Sequence, residues 1–245
     1  MHGSPSGSTA ADTSAADPGT GSVDALHVRE ADTARPGRRT GGGNRREQIL
    51  REASRLFADH GFHGVGVDEI GAAVGISGPA LYRHFAGKDA MLTELLVGIS
   101  VRLRDGGERR VEEAAATGRS PAEALDALIA GHIDFALDDR ALITLHDREL
   151  DRLPERDRKE VRRLQRQYVE LWVEVVGRVH PELTERYARG AVHAVFGLLN
   201  STPHLSARPG ALPDRAGTAA LLHRMARAAL TSAAEERDAP DGDGS

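Results

Sequence analysis

With 245 residues, 40% of them hydrophobic, the chain is long enough for one large core or two modest ones. Its net charge of -5 excludes a general basic field for nucleic acid, and the absence of cysteine excludes disulfides and thiolate metal sites. Neither a signal peptide nor an apolar run of roughly 18 residues is present, so we expect a cytoplasmic protein with no membrane partner.

The first 43 residues are rich in Gly, Ser, Thr, Ala and Asp and contain few large apolar groups. Such a segment cannot bury enough surface to offset the entropy of ordering, so we expect a disordered tail at 1–43 and another at 234–245. Where the first tail meets the first helix, the basic residues are Arg38, Arg39, Arg45 and Arg46. They are either phosphate contacts or a solvated run of charge.

The next segment contains three short helical patterns in succession. Apolar residues at helical spacing predict a helix over 44–60, with Asn44 as its N-cap and Gly61 as its stop. A second helix is expected over 67–74 and a third over 78–84, with Ser77 as N-cap and Pro79 in its first turn. A fourth begins after residue 87, and two consecutive glycines at 106–107 are expected to interrupt or end it.

Five more helices follow, and no segment has the alternation of a strand, so we predict an all-α chain. Ser120 and Glu123 form a capping box that opens the first of these helices. The expected ranges of the five are 121–137, 140–150, a long helix from about 154, 181–199 and 213–231. We expect residues 44–88 to form a helix-turn-helix domain and residues 89–233 to form a helical domain for effector binding and dimerisation.

A glycine turn between two short helices lets the second helix project while the first one braces it, and Gly75 is placed for that turn. The full spacing runs Gly75-Ile-Ser77-x-x-x-Leu81-Tyr82-Arg83-His84-Phe85-x-x-Lys88-Asp89. This pattern resembles the TetR family of transcriptional repressors, densely over 44–103 and by architecture alone beyond. The resemblance implies a dimer that binds a palindromic DNA operator and is released by a small-molecule effector.

Carried over by position, the resemblance implies that residues 77–84 form the recognition helix and its cap. It assigns phosphate contacts to Tyr82, His84 and Lys88, and places Gly78, Pro79, Ala80 and Arg83 toward bases or backbone. The chain departs from the family at Gly66, where threonine is usual, so a hydroxyl cap is missing. From residue 44 to residue 88 there are six Arg and Lys against five Asp and Glu, so affinity is expected to depend on geometry and on a second subunit.

In the same resemblance, the last two long helices pair with those of a second subunit in a four-helix bundle; the alternative is that they complete a monomer core. Aromatic and imidazole groups on the body helices are candidates for a ligand pocket, although such residues are often simply core. The candidates are His132, Phe135, His146, Tyr168, Trp172 and His193.

Residues 146–172 combine an arginine-rich face with an apolar one. This combination suits an acidic, partly apolar effector such as an acyl-CoA thioester. The alternative is a solvated helix face stabilised by pairs of glutamate and arginine.

Two rival functions remain at this stage. A helical adaptor that keeps the fold without binding DNA is one. An enzyme is the other, because His146, Asp147, Glu149 and Asp151 are close in sequence, but the metalloprotease, nucleophile-elbow and phosphate-loop motifs are all missing. We therefore expect no catalytic residue, no metal and no cofactor. The sequence does not identify the effector, the operator, the regulated genes, a role for the N-terminal tail, or whether the output is repression or activation.

Overall fold

The protein is described here by a computed structural model that covers residues 41–205 and 213–235. Over these ranges the chain is helical and has no strand, which confirms the all-α prediction. The helices are α1 (Gly41–His60), α2 (Val67–Ala73), α3 (Gly78–Leu81), α4 (Lys88–Ala116), α5 (Pro121–Asp138), α6 (Arg140–Glu149), α7 (Glu155–Val179), α8 (Glu185–Leu199) and α9 (Arg215–Glu235). None of these helices is long and apolar enough to cross a membrane.

The expected tails fall almost entirely on residues that lie outside the described ranges, as do Arg38 and Arg39. Residues 41–43 and 234–235 are described, and both pieces are helical. Asn44 lies inside α1, so the prediction that it caps this helix is wrong. Gly61 does end α1, with a φ of 77° that few other residues adopt without strain.

The third helix is shorter than predicted. It ends at Leu81, and residues 82–84 form the turn that follows. In this turn the Arg83 amide donates to the Ala80 carbonyl and the His84 amide donates to the Leu81 carbonyl, so the bonds reach back three residues. The tighter winding replaces the last predicted helical turn and changes the direction of the chain before Phe85 enters the core.

The fourth helix continues through both glycines, which corrects the expected interruption. Gly106 and Gly107 are buried in its middle, where α4 meets α7. A Cβ built on Gly107 would lie 2.7 Å from the Tyr168 ring and 2.9 Å from a Leu171 methyl group. Gly107 therefore allows close packing of α4 on α7, whereas Gly106 lies against Arg110 of its own helix, and neither glycine ends α4.

The eighth helix also begins later than predicted. It starts at Glu185, and Pro181 lies in the turn before it. The His180 carbonyl accepts from the Leu183 amide at 3.0 Å and closes this turn, and the side chain of Leu183 is buried. The capping box of Ser120 and Glu123 at the start of α5 is confirmed, with both reciprocal bonds present.

Two hydrophobic clusters organise the molecule. The first joins α1, α2, α3 and the beginning of α4 to α6, through residues such as Ile49, Leu96 and Leu145. The second joins α5, α7, α8 and α9 around Trp172. Because α4 contributes to both clusters and α6 packs against α1, these two helices connect the body to the three N-terminal helices.

Candidate nucleic-acid interface and ligand chamber

The exposed end of the first cluster is formed by α3 and the turn after it. Tyr82 is 56% exposed although it is a large aromatic residue, and Pro79 and Arg83 are exposed beside it. Ser77 caps α3, since its Oγ accepts from the Ala80 amide at 3.3 Å. An exposed aromatic side chain and an exposed guanidinium at the end of a short helix are suited to contact DNA.

Gly78 belongs to the packing of this region. It is buried, and a Cβ built on it would lie 1.9 Å from Asp68 Oδ1. Gly78 thus faces α2 instead of the predicted groove, and it permits the close approach of the two helices. Gly75 has a φ of 69°, as the tight turn between them requires.

The two arginines expected to contact phosphates are engaged inside the protein. Arg45 donates to the carbonyl of Val74 at 2.8 Å, at the end of α2. Arg46 holds the Glu94 carboxylate through two nitrogens, donates to the carbonyl of His84, and lies 4.0 Å from the centre of the Phe85 ring. Both side chains brace the exposed surface formed by Pro79, Tyr82 and Arg83, which we call the reading surface. Their phosphate contacts stay a prediction.

Lys88 has a similar bracing position. Its ammonium donates to the carbonyls of Phe62 and Val65, each at 2.8 Å, and lies 4.7 Å from the centre of the Phe62 ring. An ammonium has three donors, so one N–H is left for a phosphate. His84 is half-buried, and Ala80 is half-buried as well, at the edge of the exposed surface.

The body contains a chamber of about 250 Å³ between α4, α5, α6, α7 and α8. It is lined by Ile99, Ser100, Leu103, His132, Phe135, Leu142, Ile143, His146, Asp147, Gln165, Tyr168, Val169, His193, Phe196 and Asn200. Five of the six candidate pocket residues are therefore brought together. The sixth, Trp172, is fully buried behind the wall, with its ring 5.0 Å from that of Phe196.

A polar group is built into this aromatic wall. His132 Nε2 is 3.0 Å from Asn200 Oδ1, and because an amide oxygen only accepts, Nε2 carries the proton. Nδ1 then accepts from the Tyr168 hydroxyl at 3.4 Å. Burial lowers the pKa of His132 to about 4, against a smaller raising effect of the Asn200 bond, and burial raises the pKa of Tyr168 to about 12. The imidazole is therefore neutral and the phenol protonated at neutral pH.

Apart from Asp147, which the sequence offered only as part of a rival catalytic site, sequence reasoning missed four polar or aromatic residues of the chamber. They are Ser100, Gln165, Phe196 and Asn200. A signal existed for two of them, because Phe196 and Asn200 follow His193 by three and seven residues and so share one face of α8. The Phe196 ring stacks on His132 at 4.9 Å between ring centres and on Tyr168 at 5.5 Å.

Several arginines of the arginine-rich face of 146–172 pair with nearby carboxylates. Arg163 donates to Glu160 at 2.6 Å and 2.9 Å, and Arg158 pairs with Glu155. Hydrogen bonds from Lys159 and, second, from Arg158 lower the pKa of Glu155, and the hydrogen bond from Arg163 lowers the pKa of Glu160. The structure favours the alternative reading for this face, namely a solvated helix surface with ion pairs one turn apart.

The acidic residues near His146 do not form a metal site. His146 Nδ1 lies 3.4 Å from Asp147 Oδ1, whereas Glu149 is buried and pairs with Arg152. Across residues 41–205 and 213–235, no three His, Cys, Asp or Glu side chains converge as metal ligands would.

A second exposed apolar surface lies on the last two helices. Tyr187 is 61% exposed on α8, and Met225 and Leu221 are 44% and 39% exposed on α9. A groove of about 940 Å³ runs along both helices and is lined mainly by small residues such as Gly190, Ala191 and Ala229. Small residues allow another helix to approach closely, so this surface is suited to packing against helices.

Two family profiles match the chain. The profile described as "Bacterial regulatory proteins, tetR family" covers residues 49–95, and "Tetracyclin repressor-like, C-terminal domain" covers residues 118–204. Together they cover more than half of the chain. The first profile contains α2, α3 and the turn that carries Tyr82, and the second contains most of the chamber.

Two regulators of known output are similar in sequence. The transcriptional activator FasR of Mycolicibacterium smegmatis is 36% identical over 107 residues, which is 44% of this chain and 47% of that protein. The transcriptional repressor KstR2 of Mycobacterium tuberculosis is 27% identical over 168 residues, which is 67% of this chain and 80% of that protein. The chain thus spans less than half the length of the FasR relative.

Solved structures share the fold. The ketosteroid transcriptional regulator KstR2 of M. tuberculosis superposes with a TM-score of 0.62 at 22% identity, over 77% of this chain and 94% of that one. AibR, crystallised in complex with isovaleryl coenzyme A and operator DNA, superposes with a TM-score of 0.60 at 19% identity, over 74% of this chain and 97% of that one.

Proposed function

Because this chain belongs to the TetR family of transcriptional regulators, we propose that it is a ligand-responsive repressor that binds a palindromic operator as a homodimer. A small-molecule effector of the acyl-CoA type enters the chamber and releases the protein from DNA. The protein works in the cytoplasm and catalyses no reaction. Rotational symmetry of the dimer places two copies of the α3 surface in successive major grooves.

One observation carries this proposal. The exposed large hydrophobic side chains of the described residues are Tyr82, Tyr187, Leu221 and Met225. The first lies on the reading surface and the other three lie on the α8 and α9 surface. Apolar side chains left in water at two separate faces are typical of binding surfaces, and these two faces fit one for DNA and one for a second subunit.

Helix α4 contacts both the chamber and the helices that carry the reading surface, so a change at the chamber can act on that surface through α4. Ile99, Ser100 and Leu103 of α4 line the chamber, while Lys88 and Glu94 at its beginning hold the α1–α2 loop and Arg46. A ligand that prefers a tilted α4 would pull these contacts and change the spacing of the two reading surfaces. This is a population shift, which requires that the ligand binds the DNA-incompetent state more tightly.

The experiment is an operator selection from genomic DNA with the purified full chain, followed by footprinting of the enriched site. We expect a protected palindrome whose half-sites are one helical turn apart or a multiple of it, and a dimer in sedimentation velocity. Enrichment of no palindromic sequence would contradict the proposal.

An adaptor that keeps the fold is separated from a repressor by two substitutions on the exposed turn. Tyr82→Ala and Arg83→Ala remove side chains that have no described role in the core. In a repressor, both variants remain folded dimers and lose operator affinity. In an adaptor, there is no operator affinity to lose.

A further inference from the structure

A second, more open groove of about 270 Å³ lies beside the chamber, between α4 and α5. Its charged lining residues are Arg102, Arg109, Arg110, Asp134, Asp138 and Asp139. Ile99, Leu103, Phe135 and Tyr168 line both the groove and the chamber, so the two spaces share one wall of apolar and aromatic side chains. A ligand that extends across this wall would have its apolar part in the chamber and its polar part in the groove.

The groove contains three arginines and three aspartates, but its charges are not all paired with each other. The Asp134 and Asp138 carboxylates are held by Arg215 at 3.1 Å and 2.6 Å, and Arg102 lies 3.8 Å from Asp139. Across the described residues, Arg109 and Arg110 have no carboxylate partner within salt-bridge distance. Arg109 and Arg110 therefore line the open groove without a direct carboxylate partner, while Asp134 and Asp138 share Arg215.

Two glycines, Gly106 and Gly131, fix the position of the Arg110 side chain. It donates to the Gly106 carbonyl at 2.8 Å. A Cβ built on Gly131 of the facing helix would lie 2.4 Å from the Arg110 guanidinium carbon. The absence of that Cβ leaves space for the guanidinium against α5, close to the wall that contains Tyr168. An arginine held in this way keeps several N–H donors pointed in a fixed direction, which suits phosphate or carboxylate oxygens.

We propose that Arg109 and Arg110 form a binding site for the anionic head group of the effector, while its apolar part occupies the chamber. The ligand class is an anionic amphiphile, either a thioester that carries phosphates or a free carboxylic acid. A volume of about 250 Å³ accommodates a short or medium acyl chain, since it equals roughly eight water volumes. This inference rests on the proposed function, because it supplies the head-group site of the same effector.

Trp172 provides the readout, because it is the only tryptophan of the chain and its ring packs 5.0 Å from Phe196 in the chamber wall. The full chain is titrated with hexanoyl-CoA, hexanoate and CoA alone, and the tryptophan fluorescence is followed. We expect hexanoyl-CoA to bind, and the double variant R109Q/R110Q to weaken its affinity by about tenfold or more, with a smaller loss at high salt.

Two further variants distinguish the loss of a positive charge in the groove from a general loss of positive charge and from a change in the fold. Gly131→Ala keeps every charge but displaces the Arg110 guanidinium, whose flexible end can move without disturbing the helices, so we expect weaker binding of hexanoyl-CoA. Arg166→Gln removes one exposed arginine of α7 outside the groove and should bind as the wild type does.

The three ligands distinguish the source of the anion. If hexanoate binds at least as tightly as hexanoyl-CoA, which has no carboxylate, and R109Q/R110Q weakens the binding of hexanoate, the site recognises a carboxylate. If hexanoyl-CoA alone is weakened, the site recognises the phosphates. Unchanged affinity in R109Q/R110Q, or no binding of any of the three to the wild type, would overturn the inference. Operator binding by the wild type is measured separately, so a failure of the proposed function is recognised independently of the ligand titration.

Discussion

The cations near the reading surface make more internal bonds than the cations of the α4–α5 groove. Near the reading surface, Arg45, Arg46 and Lys88 donate to backbone carbonyls or to Glu94 and hold the turn and the helix ends together, although Lys88 keeps one N–H for a phosphate. In the groove, Arg110 donates to the carbonyl of Gly106. Arg109 and Arg110 have no carboxylate partner among the described residues. Cations next to a binding surface can thus have a structural role. Cations on a helix that matches no known motif can be the ones available to a ligand.

The same comparison applies to the aromatic residues. Tyr82 is largely exposed on the reading surface. In the body, the rings of Tyr168, Phe196 and Trp172 form one continuous cluster with His132. An exposed aromatic side chain adds little to stability and is free to contact a partner. A buried one stabilises the fold through area and packing.

The largest expected effect follows from this difference. Trp172→Ala removes a fully buried ring and leaves a cavity, so the free energy of unfolding should fall by about 3–5 kcal/mol. Tyr82→Ala is the matched control, since it also truncates an aromatic residue, and we expect a change within about 0.5 kcal/mol. Urea unfolding of both variants at one protomer concentration measures the difference. Equal losses would remove the contrast between the two regions.

The sequence allowed much of the fold to be predicted, because most helix starts and ends depend on local signals. Ser77 and Ser120 cap α3 and α5, and Gly61 ends α1. Errors occurred where tertiary packing overrides such signals. Gly106 and Gly107 resemble a helix stop in sequence, yet α4 continues through both. The small size of Gly107 serves the contact of α4 with α7, which cannot be known before the helices are placed.

The candidate site was predictable in part for the same reason. Five of the chamber residues were found because aromatic and imidazole groups are conspicuous on apolar helices. The bonds of Arg46 to Glu94 join residues that are 48 positions apart, and the contact of Arg110 with Gly131 joins residues that are 21 positions apart. No rule of sequence spacing predicts either contact. The structure was therefore necessary to distinguish occupied cations from available ones.

The second prediction concerns His132, whose pKa is lowered to about 4 by burial. The unfolded chain binds a proton below pH 6.5, whereas the folded chain resists protonation, so this residue contributes stability above that pH and loses it as the pH falls. The loss should total about 3 kcal/mol between pH 6.5 and pH 4.

Unfolding of the wild type and of His132→Gln at a series of pH values tests this prediction. The glutamine variant lacks the titrating group, so its stability should decrease less over the same interval. Parallel curves for the two proteins would show that His132 does not contribute to the acid sensitivity.

The third prediction concerns Arg46 on the reading side. Arg46→Ala removes the bonds to Glu94 and to the carbonyl of His84 and the contact with the Phe85 ring. Because the side chain is 41% exposed, solvent screening reduces the effect, and we expect a loss of about 1–2 kcal/mol. Arg51→Ala on the same helix is exposed and serves as the control, with a change below about 0.5 kcal/mol. A loss no larger than that of the control would mean that Arg46 is free for another role.

The fourth and smallest effect on stability is that of Arg83→Ala, which should leave the free energy of unfolding within about 0.5 kcal/mol of the wild type because the side chain is exposed. Its effect on operator affinity is expected to be a loss of about tenfold or more, as for the removal of one DNA contact. Fluorescence anisotropy with a labelled operator duplex gives the affinity. An unchanged affinity would place the DNA contacts elsewhere on the molecule.

The measurement that tests the account most directly follows both regions in one titration. Hexanoyl-CoA is added to the wild-type protein bound to its labelled operator, while operator anisotropy and Trp172 fluorescence are recorded together. We expect the anisotropy to fall to the value of free DNA over the concentrations at which the tryptophan signal changes. Saturation of the tryptophan signal with the operator still bound would contradict this expectation.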